Sequence, residues 1–243
     1  RISPKANFVY YAHPNYSFFL KTGIGFHSND TRVVVESDGK NILPAAYGTD
    51  VGVNMKVGNS TFFNVTFWHL FLEQEFVYVG DEAIIEPSGK SRRLGADFSI
   101  RHSFTNWLFL DFDLTYANGR FTEEEEGMNR IPLAPEISST GGLTYKSNFG
   151  LSAALRYRYI KDRPANEDNS IIALGYMVTD ARINYRYKQI GIYLTAENIF
   201  NTEWNEAQFA TLSKLQYETT PVEELHYTPG TPLFLKAGIE LNF

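Results

Sequence analysis

Cysteine is absent from all 243 residues, which removes disulfide frames, thiol nucleophiles and cysteine-ligated metals from consideration. Surplus positive charge is lacking too. The formal net charge is −6, opposite to the basic face of a nucleic-acid binder, so no nucleic-acid partner is expected. No apolar run approaches the ~20 residues that a membrane helix needs; the longest, Ile171 to Val178, falls far short. Helical spacing is almost missing as well. The chain opens on Arg1 with no secretory leader, so an upstream segment is expected to have been removed. The five histidines (13, 27, 69, 102 and 226) form no i, i+2 or i, i+4 pair, and neither a metal site nor a cofactor is expected. Asp111 and Asp113 share a strand face as an acid–base pair would, but no nucleophile accompanies them, so no catalytic residue is assigned.

What the sequence has is aromatic side chains spread among polar ones. Phe and Tyr number 19 and 15, yet mean hydropathy is −0.27. Period-two alternation recurs along most of the chain. Leu108, Leu110, Phe112, Leu114 and Tyr116 oppose Asp111, Asp113 and Thr115. Leu151, Ala153, Leu155, Tyr157 and Tyr159 oppose Ser152, Arg156 and Arg158. Leu235, Ala237, Ile239, Leu241 and Phe243 oppose Lys236, Gly238, Glu240 and Asn242. The pattern predicts an all-β chain of about eleven antiparallel strands, at 4–12, 16–27, 46–56, 61–79, 91–103, 107–120, 135–146, 150–161, 175–187, 190–201 and 232–243.

These strands are long. A soluble domain uses strands of ~5–6 residues, whereas a tilted membrane strand needs ~9–11. Their connections alternate between short turns, as at His13-Pro14-Asn15 and Lys188-Gln189, and long polar loops at 28–45, 80–90, 121–134, 162–174 and 202–231. Transmembrane β-barrels sort their connections this way, with short periplasmic turns and longer extracellular loops. The expected fold is therefore a transmembrane barrel in a Gram-negative outer membrane, in contact with its lipid and lipopolysaccharide. The polar alternates, among them Lys21, Lys56, Asp97, Arg101, Asp111, Asp113, Arg156, Arg158, Asp180, Arg182, Arg186, Glu197 and Glu240, would line the lumen. Glu123 to Glu126 is a like-charge run of the solvated kind. Single-chain bacterial barrels normally have an even number of strands. Eleven strands whose first and last both descend therefore read as part of a larger barrel.

The terminal residues Lys236, Gly238, Leu241 and Phe243 stand in the pattern polar-x-Gly-x-x-apolar-x-aromatic, which resembles the signal read by the barrel-assembly machinery. Further segments resemble the TonB-dependent outer-membrane receptors. They are Gly25-Phe26-His27-Ser28-Asn29-Asp30, Arg130-Ile131-Pro132 with Ala134-Pro135-Glu136, Glu197-Asn198-Ile199-Phe200-Asn201, and Pro229-Gly230. Trp204 stands where Tyr is usual in that family, and Leu233 where Arg is frequent. The resemblance spans residues 1–243 and implies the C-terminal portion of a 22-stranded barrel, without its plug domain and earlier strands. It also implies uptake of a scarce nutrient, most often a ferric siderophore, driven by the TonB system through the plug, and not an enzyme. A passive porin-like channel is the alternative that the same strands would serve. For the extracellular mouth the candidates are His27, Asp30, Arg32, Trp204, Tyr217, His226 and Tyr227, the last four in the longest loop.

Overall fold

The computed structural model describes residues 2–26, 43–79 and 84–242, by backbone alone over 75–79 and 84–88. Strands β1 (Lys5–His13), β2 (Tyr16–Phe26), β3 (Ala45–Val57), β4 (Thr61–Leu72), β5 (Glu75–Val79), β6 (Ile84–Ser88), β7 (Ser91–Ser103) and β8 (Leu108–Phe121) come first. They are followed by β9 (Ile137–Lys146), β10 (Leu151–Ile160), β11 (Arg163–Pro164), β12 (Ile172–Ala173), β13 (Tyr176–Tyr187), β14 (Ile190–Glu197), β15 (Asn205–Ser213), β16 (Val222–Pro229) and β17 (Phe234–Leu241). Eleven of them form one antiparallel sheet in the order β1-β2-β3-β4-β7-β8-β9-β10-β13-β14-β17. With the other six strands set aside, every neighbour in that sheet is the next strand along the chain. The remaining six pair off as three hairpins, β5–β6, β11–β12 and β15–β16, each carried by a long connection.

Two differences from the sequence reading concern these connections. The apolar run 61–79 is not one strand: it breaks after Leu72 at Glu73-Gln74, and β5 turns away to pair with β6. The stretch 202–231 is not irregular, since β15 and β16 fill most of it. Strict sorting of the connections stands. The short turns all lie at one end of the sheet, and the hairpins and long loops at the other. At the turn from β3 to β4, Gly58 takes a φ of +60°, which glycine adopts without penalty.

The register gives the sheet two unlike faces. Directly paired residues share a face, so Arg101, Asp111, Gly142, Arg156 and Asp180 form one continuous rung across β7, β8, β9, β10 and β13. The rung beside it runs Ile100, Phe112, Gly141, Tyr157 and Thr179 on the opposite face. That face stays uncovered: Phe67, Leu114, Leu143, Leu155, Ile183, Ile192 and Ile239 are all exposed. Burying one such side chain gains roughly 1.5–3 kcal/mol, and soluble monomers rarely leave contiguous apolar patches beyond a few hundred Å². A sheet with this face needs an apolar medium. The apolar residues that are buried concentrate instead near the long-loop end, where Phe121, Ile131, Ala165, Ala173 and Val178 lie.

Candidate functional site: the charged face and the long-loop end

The charged face carries a ladder of ion pairs. One guanidinium nitrogen of Arg101 donates to both carboxylate oxygens of Asp113, at 3.0 and 2.8 Å, and Ser99 donates to the same group at 2.6 Å. Arg156 meets Asp111 at 2.5 Å, and Arg158 meets Asp180 at 3.3 Å. Arg186 meets Glu240 at 3.2 Å, while the Lys236 ammonium is bonded to Glu197. Glycine decides two of these pairings. Gly142 stands between Arg156 and Asp111 in the rung, and Gly191 between Arg186 and Glu240. With no side chain on the middle strand, each arginine reaches across it to an acid two strands away. A Cβ on Gly142 would come within 2.9 Å of Arg156 Cδ. Such half-exposed pairs contribute ~0–1 kcal/mol each, so their main effect is to neutralise the wall rather than to hold it.

At the long-loop end, buried amides pin the connections to the sheet and to one another. Asn198, 1 % exposed and at a φ of +51°, accepts from the Thr202 amide and donates to the carbonyls of Thr202 and Thr231. Its own amide donates to Asp180. Gln208 on β15 accepts from the Leu174 amide and donates to the Leu174 carbonyl, both just under 3 Å, so that the β15–β16 hairpin is tied to the β10–β13 loop. Asn166 in that loop donates to Glu223 of β16 at 3.3 Å. Arg130 and Leu133 donate backbone amides to Glu167 and Pro164. The loops after β8, β10 and β14 thus form one joined layer.

The sequence candidates sit in this layer as follows. Trp204 lies at the root of the hairpin, where its indole N–H donates to the Thr231 carbonyl at 3.0 Å. Its ring stands 4.8 Å from Tyr176 and 5.1 Å from the Arg158 guanidinium, against Gly230. The geometry gives this indole a packing role. Tyr217 is at the hairpin tip and 83 % exposed. Tyr227, also exposed, pairs with Gln208, and His226 with Phe209, so these two neighbours on β16 point to opposite faces of the hairpin. His226 Nε2 is 3.6 Å from Glu224. His27, Asp30 and Arg32 lie outside the described residues, as does Phe243. Of the other terminal residues, Gly238 makes room for the Tyr193 ring paired opposite it, and Leu241 pairs with Ile190 on the apolar face.

Sequence reasoning named Glu136 only as part of a motif and missed its chemistry. Its carboxylate binds Lys161 at 3.0 Å and Arg130 at 3.1 Å, with Arg120 at 3.9 Å. The hydrogen bond from Lys161, joined by the attraction of Lys161 and Arg130, outweighs partial burial and holds the Glu136 carboxyl below the ordinary carboxylate range. A carboxyl depressed in the folded state contributes stability that is complete above its unfolded value of ~4.3 and is lost as pH falls through the depressed value. We expect spin labels at Met128 and Glu167 to give a narrow distance distribution at neutral pH that broadens only as pH falls below ~4.3. Glu136→Gln should show one breadth throughout. A wild-type distribution that stays narrow at the acid end would remove this bridge as the cause.

A protein-family model described as TonB dependent receptor-like, beta-barrel, matches residues 1–199. Among solved structures, the ferric-catecholate import receptor Fiu from E. coli K12 superposes at a TM-score of 0.72 with 19 % identity, over 98 % of this chain and 34 % of that one. The ferric yersiniabactin uptake receptor FyuA from Yersinia pestis does so at 0.74 with 11 % identity, over 98 % and 37 %. The copper transporter OprC gives 0.75 at 14 % identity, over 99 % and 40 %. The chain spans little more than a third of these proteins' length. At such identities the likeness shows a shared fold, and the family match shows descent. A chain that fits that model over most of its residues, and lies on those barrels along nearly all of its own length, belongs to the TonB-dependent receptors as a portion of their β-barrel.

Proposed function

We propose that this chain is the C-terminal barrel portion of a receptor that takes up a scarce nutrient across the outer membrane, coupled to TonB through a plug domain. TonB-dependent receptors are an outer-membrane family of Gram-negative bacteria. The observation that carries the reading is the two-faced sheet with sorted connections. Its apolar face suits lipid, its ion-paired face suits a wet lumen, and its joined loops suit an extracellular mouth. The cargo we propose is a ferric siderophore, in line with the ferric chelates named for Fiu and FyuA. Tyr217, His226 and Tyr227, with His27, Asp30 and Arg32, are proposed to meet it, and Trp204 to hold the hairpin that presents them. The final strand, with Lys236, Gly238, Leu241 and Phe243, is proposed to engage the barrel-assembly machinery, and the apolar face to meet lipid and lipopolysaccharide.

The test uses one strain that carries the full-length receptor and no other route for the chelate. Labelled ferric siderophore should accumulate when TonB is functional and not when it is removed; equal accumulation in both would indicate a passive channel. In the same cells, single cysteines at Thr219 or Glu125 should react with a membrane-impermeant reagent, whereas cysteines at Asn59 or Asn106 should not. Equal reaction at both ends would overturn the orientation.

A further inference from the structure

Three arginines stand side by side where the apolar face ends. Arg92 on β7 is the direct register partner of Arg120 on β8, and Arg120 is bridged to Arg130. By strand parity, Arg92 shares its side with Leu94, Phe98 and Ile100, and Arg120 shares its side with Leu114 and Tyr116. The row therefore caps the apolar face at the long-loop end, close above the last apolar rung. It does not belong to the charged wall.

Like charges placed directly opposite one another weaken a ladder, so such a row calls for a counter-charge. Among the described residues, Glu136 is the carboxylate that reaches this row. Glu136 is shared between Arg130, Arg120 and Lys161, and Arg92 has no carboxylate partner among the described residues. Glu124 and Glu126 line the recess formed with Arg92, Arg120, Asn129 and Arg130 but bond to none of these cations. The recess is open and holds about 700 Å³, large enough for a phosphorylated headgroup.

We propose that this recess binds the phosphomonoester headgroup of an outer-leaflet lipid. The proposal rests on the reading of the apolar face as lipid-facing. The planar guanidinium fork matches phosphate oxygens in pairs, and basic side chains at the edge of an apolar belt meet anionic headgroups there. A lipid suits the site better than a free anion because the acyl chains of a lipid held by Arg92 and Arg120 would lie along Leu94, Phe98, Leu114 and Tyr116. Lipid contact and phosphate contact thus come from one continuous surface.

The test is lipid retention by the full-length receptor in detergent, read by mass spectrometry with lipid A bearing both phosphates and with its phosphate-free analogue. Wild-type protein should retain the phosphorylated form and not the analogue. Arg92 makes no side-chain bond among the described residues, so Arg92→Gln should lower retention about tenfold, the size of one charge-assisted hydrogen bond. The triple variant R92Q/R120Q/R130Q should abolish it, with R92K/R120K/R130K retaining part. Equal retention by wild type and Arg92→Gln overturns the site. So does equal binding of both lipids, which leaves only the apolar belt, or full displacement of the lipid by an equal concentration of inorganic phosphate. A receptor that stays soluble without detergent and binds neither lipid would sink the membrane reading itself.

Discussion

Leu114→Arg should destabilise the receptor by about 2–4 kcal/mol while its neighbour Thr115→Arg should leave stability nearly unchanged, because one faces lipid and the other a wet wall. Leu114 lies on the apolar face, within the band from Leu108 to Tyr116, and is partly exposed. An arginine there would carry its charge into hydrocarbon. Thr115 is one residue on, paired with Asp97, which has no ion-pair partner among the described residues. An arginine at 115 would meet that carboxylate across the strands and gain ~0–1 kcal/mol, as half-exposed pairs do. The comparison holds strand, depth and substituent nearly constant and changes only the face. Reversible folding of the full-length receptor into lipid vesicles measures both variants. Because a one-residue slip in register moves every side chain to the other face, equal costs would undo the assignment for all eleven strands.

This dependence on parity explains which features were legible in the sequence. Alternation alone separates Asp111 and Arg156 from Phe112 and Leu155, since period two is a local property. The partners of those charges were not legible. Arg156 reaches Asp111 only because the register sets Gly142 between them, and register is a relation between strands far apart in sequence. Strand ends were hidden for a different reason. The apolar run through Phe71-Leu72 resumes at Phe76, so a window over the sequence bridges Glu73-Gln74-Glu75, where the chain leaves the sheet. The β15–β16 hairpin escaped notice because it docks through Gln208, a buried amide, rather than through an apolar stripe that alternation could reveal. Aromatic type pointed to Trp204, but not to an indole already bonded and packed against Tyr176.

Asn198→Leu should release the root of that hairpin, at a local cost of about 2 kcal/mol, since it leaves the part-buried N–H and C=O of Thr202 unpaired, while the Thr231 carbonyl keeps its bond from the Trp204 indole. Asn198 serves Thr202 twice and Thr231 once, the latter 33 residues away, and shares the closing of this base with Trp204 and Asn201. Its left-handed backbone conformation is one that asparagine tolerates and leucine resists. Asn198→Gly separates the two effects, because glycine keeps the conformation and loses only the side-chain bonds. The readout is brief chymotrypsin digestion of the folded full-length receptor. Within the β15–β16 hairpin, wild type should be cut first at the exposed tip near Tyr217, whereas Asn198→Leu and, less strongly, Asn198→Gly should also open at Trp204 and Phe209. If Asn198→Gly resists like wild type, the Asn198 amide does not hold the loop, and the Gln208 bonds to Leu174, with the Trp204 indole bond to Thr231, must anchor the hairpin. Gln208→Leu in the Asn198→Gly background then decides the point, since it leaves the Leu174 amide and carbonyl without their partner.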